Sequence, residues 1–396
     1  MASSNAPSNV LSLLWRNKES RGVIIQILTM IIVFGLLAVI ARNVVVNLEA
    51  VGKEFSFDFL FWPAGYDIGF SPFIEYTNKS THFMSGVVGL LNTLLIAFWG
   101  CILATILGFI IGIMRLSSNW LVSRVSYIFV EFVRNVPVLI HILAIYAIVV
   151  TILPSTKQAI SLGGDLFFLS NRGFYIPAPI FESGSGWVGI VLLISIGLVI
   201  AFKRWAKRIQ DNTGKIYPVF WISLAILTVL PFLALVAMGT PISWDIPALK
   251  GFNFRGGMAI KPEFIALWLG LSYYTAAFIA EIVRAGILAV SHGQTEAARA
   301  LGVRPNRTLQ LIIIPQALRI IVPPLCSQYL NLTKNSSLAI AIGYMDITAT
   351  LGGISLMQTG KEMETMLIVM GIYLIISLLI SSFMNWFNSR IKLTER

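Results

Sequence analysis

Residues 291–324 read SHGQTEAARALGVRPNRTLQLIIIPQALRIIVPP, a polar stretch between two apolar ones that decides how the rest of the chain is read. Thr295 can cap a short helix, with Glu296 in its first turn, where the helix dipole favours an acid. Ala297, Ala298 and Ala300 are small enough to let that helix press close to another surface. Gly302 stops it, as a glycine just past a helix end does, and Pro305 opens a second helix in a new direction. The expected shape is two helices joined by a tight corner, suited to mechanical contact with a partner. Taken alone, Glu296-Ala297-Ala298 followed by Gly302 is merely good helix chemistry with a good stop. Adding Ile312 and Pro315 gives six residues at set spacing, a coincidence of roughly one window in ten million at average residue frequencies.

Outward from this segment the chain is apolar. Of its 396 residues 57% are hydrophobic and 12% charged, too few charges to cover a soluble surface. The fold expected is all-α, a polytopic membrane protein. Stretches long enough to span a bilayer run from Gly22 to Ala41, Gly86 to Met114, Asn135 to Leu153, Gly186 to Phe202, Ile216 to Met238, Phe264 to Leu288, Ile320 to Met345 and Met366 to Trp386. The first begins late, is long and lacks a small-residue cleavage site, so it reads as a span rather than a cleaved signal.

Charge sets the orientation. Basic residues are concentrated on alternate loops and their flanks in this chain of net charge +11: Arg16, Lys18 and Arg21; Arg115 and Arg124; Lys203, Arg204, Lys207, Arg208 and Lys215; Arg284, Arg299, Arg304, Arg307 and Arg319; Arg390, Lys392 and Arg396. These loops carry about twice the bases of the others, which places them and both termini in the cytoplasm. No basic run is interleaved with aromatics, so nucleic acid is not an expected partner; the partner in view is the lipid bilayer. Two cysteines give no disulfide framework, and three scattered histidines give no metal site. The aromatic- and Gly/Pro-rich loops Val46 to Ser85, Pro154 to Ser185 and Gly239 to Pro262 are expected outside, as interfacial anchors or a docking rim.

The 291–315 pattern resembles the EAA loop of ABC-importer permease subunits, E-A-A, three residues, G, nine residues, I-x-L-P, with Ile314 in place of the leucine. Residues 274–284 (YTAAFIAEIVR), Gly293-Gln294, Arg134-Asn135-Val136-Pro137, Pro323-Pro324 and residues 334–338 (KNSSL) are similar to the permeases for polar amino acids. Those permeases usually have five spans. The extra length resembles the larger, eight-span permeases of general L-amino-acid importers. The resemblance implies an N-terminal tail, extra first span and outer loop over 1–85, a first core part over 86–162, an insertion with two spans over 163–257, and a second core part over 258–396 that holds the coupling loop 291–319. It further implies a bacterial inner-membrane protein, coupled through Glu296, Ala297, Ala298, Gly302, Ile312 and Pro315 to a cytosolic ATPase dimer. A second homologous permease, in a heterodimer, and an extracytoplasmic amino-acid-binding protein complete the expected assembly. The chain has no G-x-x-x-x-G-K-[ST], so ATP and Mg are expected on the ATPase and no cofactor or catalytic residue in this chain.

Ionisable groups within spans are costly and carry a functional reading. Lys334, with Asn331, Asn335, Ser336 and Ser337, lies in a segment interrupted by Pro323, Pro324 and Gly343, as in helices that line transport paths. The alternatives are a helix–helix polar contact or a lysine reaching for the interface. Glu281 with Arg284, and Glu131 with Arg134, are three apart and can pair, as structural bridges or as gates. An ion-gradient-driven secondary transporter is the rival function, and it lacks an internal repeat and a convincing midplane carboxylate. Tyr66-Asp67 and Gly163-Gly164-Asp165 faintly echo an aspartyl protease, but both lie in outer loops.

Overall fold

A computed structural model describes residues 18–50 and 52–391; the basic residues Arg16, Lys392 and Arg396 lie outside the described residues. The long helices are α1 (Lys18–Ala50), α2 (His82–Met114), α5 (Ser185–Thr213), α6 (Val219–Ala237), α7 (Pro262–Leu288) and α12 (Glu362–Ile391). Between them lie α3 (Trp120–Asn135), α4 (Val138–Ile152), α8 (His292–Ala300), α9 (Pro305–Thr308), α10 (Ile314–Asn335) and α11 (Leu356–Thr359). Seven helical segments are long and apolar enough to cross a membrane, and α3 with α4 makes an eighth if that broken pair counts as one span. The eight stretches of the sequence reading thus correspond to helices.

The third stretch differs from expectation. The loop foreseen before it is the helix α3, bent by 106° from α4. The break falls at Val136-Pro137, because proline forces the preceding residue out of the helical region; Val136 has φ −103° and ψ 134°. α3 exposes Trp120, Leu121, Val125, Ile128 and Phe132 along one side and buries Ser126, Val130 and Val133 on the other. An exposed apolar face on a helix at an angle to the spans is that of an interfacial helix. His141 sits inside the bend, its Nε2 3.2 Å from the Val133 carbonyl, and serves packing.

The core lies where α2, α7 and α10 meet, around Ile96, Ala104, Leu267, Leu271, Ile279, Val283, Ile321 and Leu332. With no water to squeeze out in a bilayer, close backbone approach must supply the contact. α2 provides it with Gly100, Ala104, Gly108 and Gly112, four residues apart on one face. A Cβ at Gly112 would stand 2.8 Å from the Ala280 carbonyl and 2.8 Å from Val283 Cβ.

The helical class is accompanied by short strands that alternation did not reveal. A four-stranded antiparallel sheet has the order β1 (Ile160–Leu162), β2 (Phe167–Ser170), β3 (Gly173–Ile176) and β8 (Met258–Ile260). β4 (Ala178–Phe181) pairs with β5 (Ile242–Asp245), and β6 (Ala248–Lys250) with β7 (Asn253–Arg255). The chain entering α5 therefore runs beside the chain leaving α6, through β3–β8 and β4–β5. This ribbon carries the α5–α6 hairpin at the Pro262 end of α7. α1 is exposed along almost its whole length; the segment after it is pinned to α12 by Lys53 on Glu362 at 2.9 Å and by the Ser56 amide on Glu364 at 3.1 Å.

Candidate functional site

At the opposite end of α7, residues 291–315 form the two-helix corner. Its details correct the sequence reading in two places. Ser291 rather than Thr295 occupies the N-cap, without a side-chain bond, so Thr295 and Glu296 sit inside α8; His292 Nδ1 is 3.1 Å from Glu296 Oε1. Of the small residues only Ala298 is buried, at 2% exposure, while Ala297 and Ala300 face out. A nine-residue helix has one face to pack on its own chain, and the register gives it Ala298.

The stop forms as expected. Gly302 takes φ +71°, its amide donates to the Arg299 carbonyl at 2.9 Å, and the Val303 amide donates to the Ala298 carbonyl at 3.0 Å. These two bonds satisfy helix-end carbonyls that would otherwise lack donors. A Cβ at Gly302 would meet nothing within 4 Å, so the corner is open around it. Pro305 starts α9, a π-helical turn Leu309–Ile313 contains Ile312, and Pro315 lies in the first turn of α10. Two features escaped the sequence. Leu301, at the apex, is 81% exposed, an apolar knob beside Ala297 and Ala300. Gln316 Nε2 donates to Gln294 Oε1 at 3.2 Å, tying α8 to α10.

Near the corner Glu281 and Arg284 pair, with Arg284 Nη2 2.6 Å from Glu281 Oε1. Arg115, at the end of α2 and almost buried, also bonds to Glu281, so a carboxylate is held between two guanidiniums. Sequence spacing could not show this, because Arg115 and Glu281 are far apart in the chain. Arg115 and Arg124 both lie over the Tyr127 ring, at 5.3 and 5.4 Å, which joins α3 to the cluster. Glu131 and Arg134 do not pair. Arg134 lies over the Phe278 ring at 5.4 Å, and the Asn135 side chain donates to the Glu131 carbonyl. The α3 face sends Arg134 toward α7 instead of back along its own helix.

α10 ends at Asn335 and passes into a 3-10 turn, Ser336–Ile342, closed by Gly343 at φ +78°. The helix runs unbroken through Pro323 and Pro324, contrary to expectation, and only the break ahead of Gly343 forms; it divides the five polar residues. Asn331 and Lys334 are exposed and lie in line with the exposed Pro323, Pro324 and Ser327; Asn335 and Ser337 are half-buried. Ser336 is buried, donates to the Thr333 carbonyl at 2.8 Å, and so faces the fold and not the stripe. Two residues on from Lys334, about 200° around a helix axis, it falls on the side opposite the stripe. Three residues past Gly343 the chain carries a buried carboxylate. Asp346, fully buried, accepts from the Ala349 amide at 2.9 Å and the Tyr373 hydroxyl at 3.1 Å. Its partners within the fold satisfy it, which makes it a structural anchor for residues 343–355.

The molecule is thus a bundle of spans with an exposed two-helix corner at one end. Residues 193–393 match the binding-protein-dependent transport system inner membrane component. The chain belongs to this family, as an ABC-importer permease subunit and not a secondary transporter. It is 46% identical over 376 residues to the general L-amino acid transport system permease protein AapQ of Rhizobium johnstonii, covering 95% of this chain and 93% of that one. It is 48% identical to the glutamate/glutamine/aspartate/asparagine transport system permease protein BztB of Rhodobacter capsulatus, covering 98% and 97%. The putative amino-acid ABC transporter permease protein YhdX of Escherichia coli is 46% identical, covering 97% and 98%.

Proposed function

We propose that this permease carries L-amino acids across the bacterial inner membrane, with both termini in the cytoplasm. It receives them from an extracytoplasmic binding protein and is driven by a cytosolic ATPase dimer. The names of its relatives support the cargo. The observation that carries the coupling is the corner: Leu301 exposed at its apex, Gly302 closing α8, and the Gln294–Gln316 bond linking α8 to the start of α10. ATP and Mg belong to the partner, and no cofactor is assigned to this chain. Glu296, Ala297, Gly302 and Leu301 present the surface the ATPase grips. Ala298, Ile312 and Pro315 join that surface to α10, which carries the motion into the membrane.

The stripe Ser327, Asn331 and Lys334 forms one wall of the path. An exposed lysine within a span costs about 2.5–3.5 kcal/mol against lipid, so the stripe faces water or protein. A second, homologous permease supplies the other wall, giving a heterodimer. Glu281, clamped by Arg115 and Arg284, is a structural tie between α2 and α7 at the coupling end. Residues 163–257 are an insertion hung on the β-ribbon, between core parts 86–162 and 258–396.

The test is uptake in proteoliposomes holding this chain, its ATPase, the second permease and the binding protein. Uptake of 14C-labelled L-amino acids that requires ATP inside supports the assignment. Uptake that follows an imposed ion gradient and ignores ATP would overturn it.

A further inference from the structure

A cavity of about 460 Å³ opens at the sheet end, between α4, the first residues of α7 and the inserted β-strands. Its wall gathers charges of both signs: Arg172 from the β2–β3 turn, Lys261 just before α7, and Glu263 in its first turn. Among the described residues none of the three is in an ion pair. Arg172 is held by the side-chain oxygen of Asn253, a neutral acceptor that fixes the guanidinium without cancelling its charge. Glu263 Oε1 accepts only a long bond, 3.5 Å, from the Tyr146 hydroxyl. Between these groups the wall is aromatic, with Tyr175 and Phe254 packed at 4.6 Å between ring centroids.

Opposite charges that share one hollow without a contact ion pair between them are set for a ligand that carries both. We propose that this cavity is an outer capture site for the zwitterionic head of an α-amino acid, before the path through the spans. The carboxylate meets Arg172 and Lys261, where a guanidinium gives two parallel bonds. The ammonium meets Glu263, displacing the weak Tyr146 contact. The side chain lies over Phe254 and Tyr175, which read its size and apolar surface and little else. Arg172 and Phe254 come from the inserted block and Glu263 from the core. The insertion therefore completes a site that the core lacks alone. This site rests on the functional reading above in taking an amino acid as its ligand.

The test uses the assembled permease–ATPase complex in detergent, without binding protein, and equilibrium binding of a 14C-labelled mixture of the L-amino acids. Glu263→Gln and Arg172→Gln are compared with wild type after each is shown to assemble in normal yield. Competition with the amines and with the carboxylic acids that match each amino acid but lack one charge reads the two ends separately. Each variant is expected to weaken amino-acid binding about tenfold, the ~1.4 kcal/mol of one charge-assisted bond. Glu263→Gln should leave competition by the deaminated acids unchanged, and Arg172→Gln should leave competition by the amines unchanged. Glu263→Asp should restore part of the loss. Wild-type affinity in both glutamine variants, in a complex that transports amino acids, would overturn the site alone. A wild-type complex with ATP-driven uptake of no L-amino acid would overturn the functional reading, and the site with it.

Discussion

Gly302→Ala and Gly302→Asp separate the shape of the corner from the surface it offers. At φ +71° a residue with a Cβ pays about 1–2 kcal/mol for the left-handed backbone, and aspartate pays less because its short polar side chain bonds locally. Among the described residues nothing opposes a side chain there, since a Cβ would meet nothing within 4 Å. The whole intrinsic cost therefore falls on the two bonds that close α8, Gly302 to Arg299 and Val303 to Ala298. A penalty of about 1–2 kcal/mol changes the open population roughly 5–30-fold. Hydrogen exchange of the Gly302 and Val303 amides in the isolated chain should quicken by that factor in Gly302→Ala, and by only about threefold in Gly302→Asp. Uptake should show the reverse order. Alanine keeps a small surface and part of the activity, whereas aspartate places bulk and charge against the ATPase and abolishes uptake at normal membrane levels. Full uptake by a normally inserted Gly302→Asp chain would refute the docking argument. Unchanged exchange in Gly302→Ala would refute the backbone argument.

Three further perturbations probe other parts of the account. Gly112→Leu forces a side chain onto the Ala280 carbonyl and Val283, and should cost about 1–3 kcal/mol, read as a lower melting temperature in detergent. Arg115→Met leaves Glu281 with Arg284 alone; removing one charged hydrogen bond should destabilise by about 1.5–3 kcal/mol, and in Glu281→Gln the same change should cost far less, a coupling that a double-mutant cycle measures. Lys334→Ala should reduce uptake while the ATPase still co-purifies; loss of the complex would make Lys334 a structural contact.

How much of this could be read beforehand depended on whether the signal was local. Spans and the corner are local, since the apolar runs and the Gly302 stop each act within a few residues. Capping by Thr295 failed because the reading counted back from Glu296, whereas the chain enters α8 at Ser291. Arg115 on Glu281, Gln294 on Gln316 and Asp346 on Tyr373 join positions distant in sequence, and nothing in composition or spacing marks such pairs. The strands were too short, at three or four residues each, for alternation to stand out. Ser336 was grouped with the path because it is close to Lys334 in sequence, whereas residues two apart on a helix point to opposite sides.

The central claim is that the α8 corner is where the ATPase grips this permease. The direct measurement is a photoreactive benzoylphenylalanine at position 301 in the complete transporter, in native membranes, with the same group at Phe252 on the sheet end as control; both positions are highly exposed. Irradiation at position 301 should join this chain to the ATPase subunit, and at position 252 should not. An adduct to the ATPase from position 252, or none from position 301 in a complex that still transports, would contradict the account.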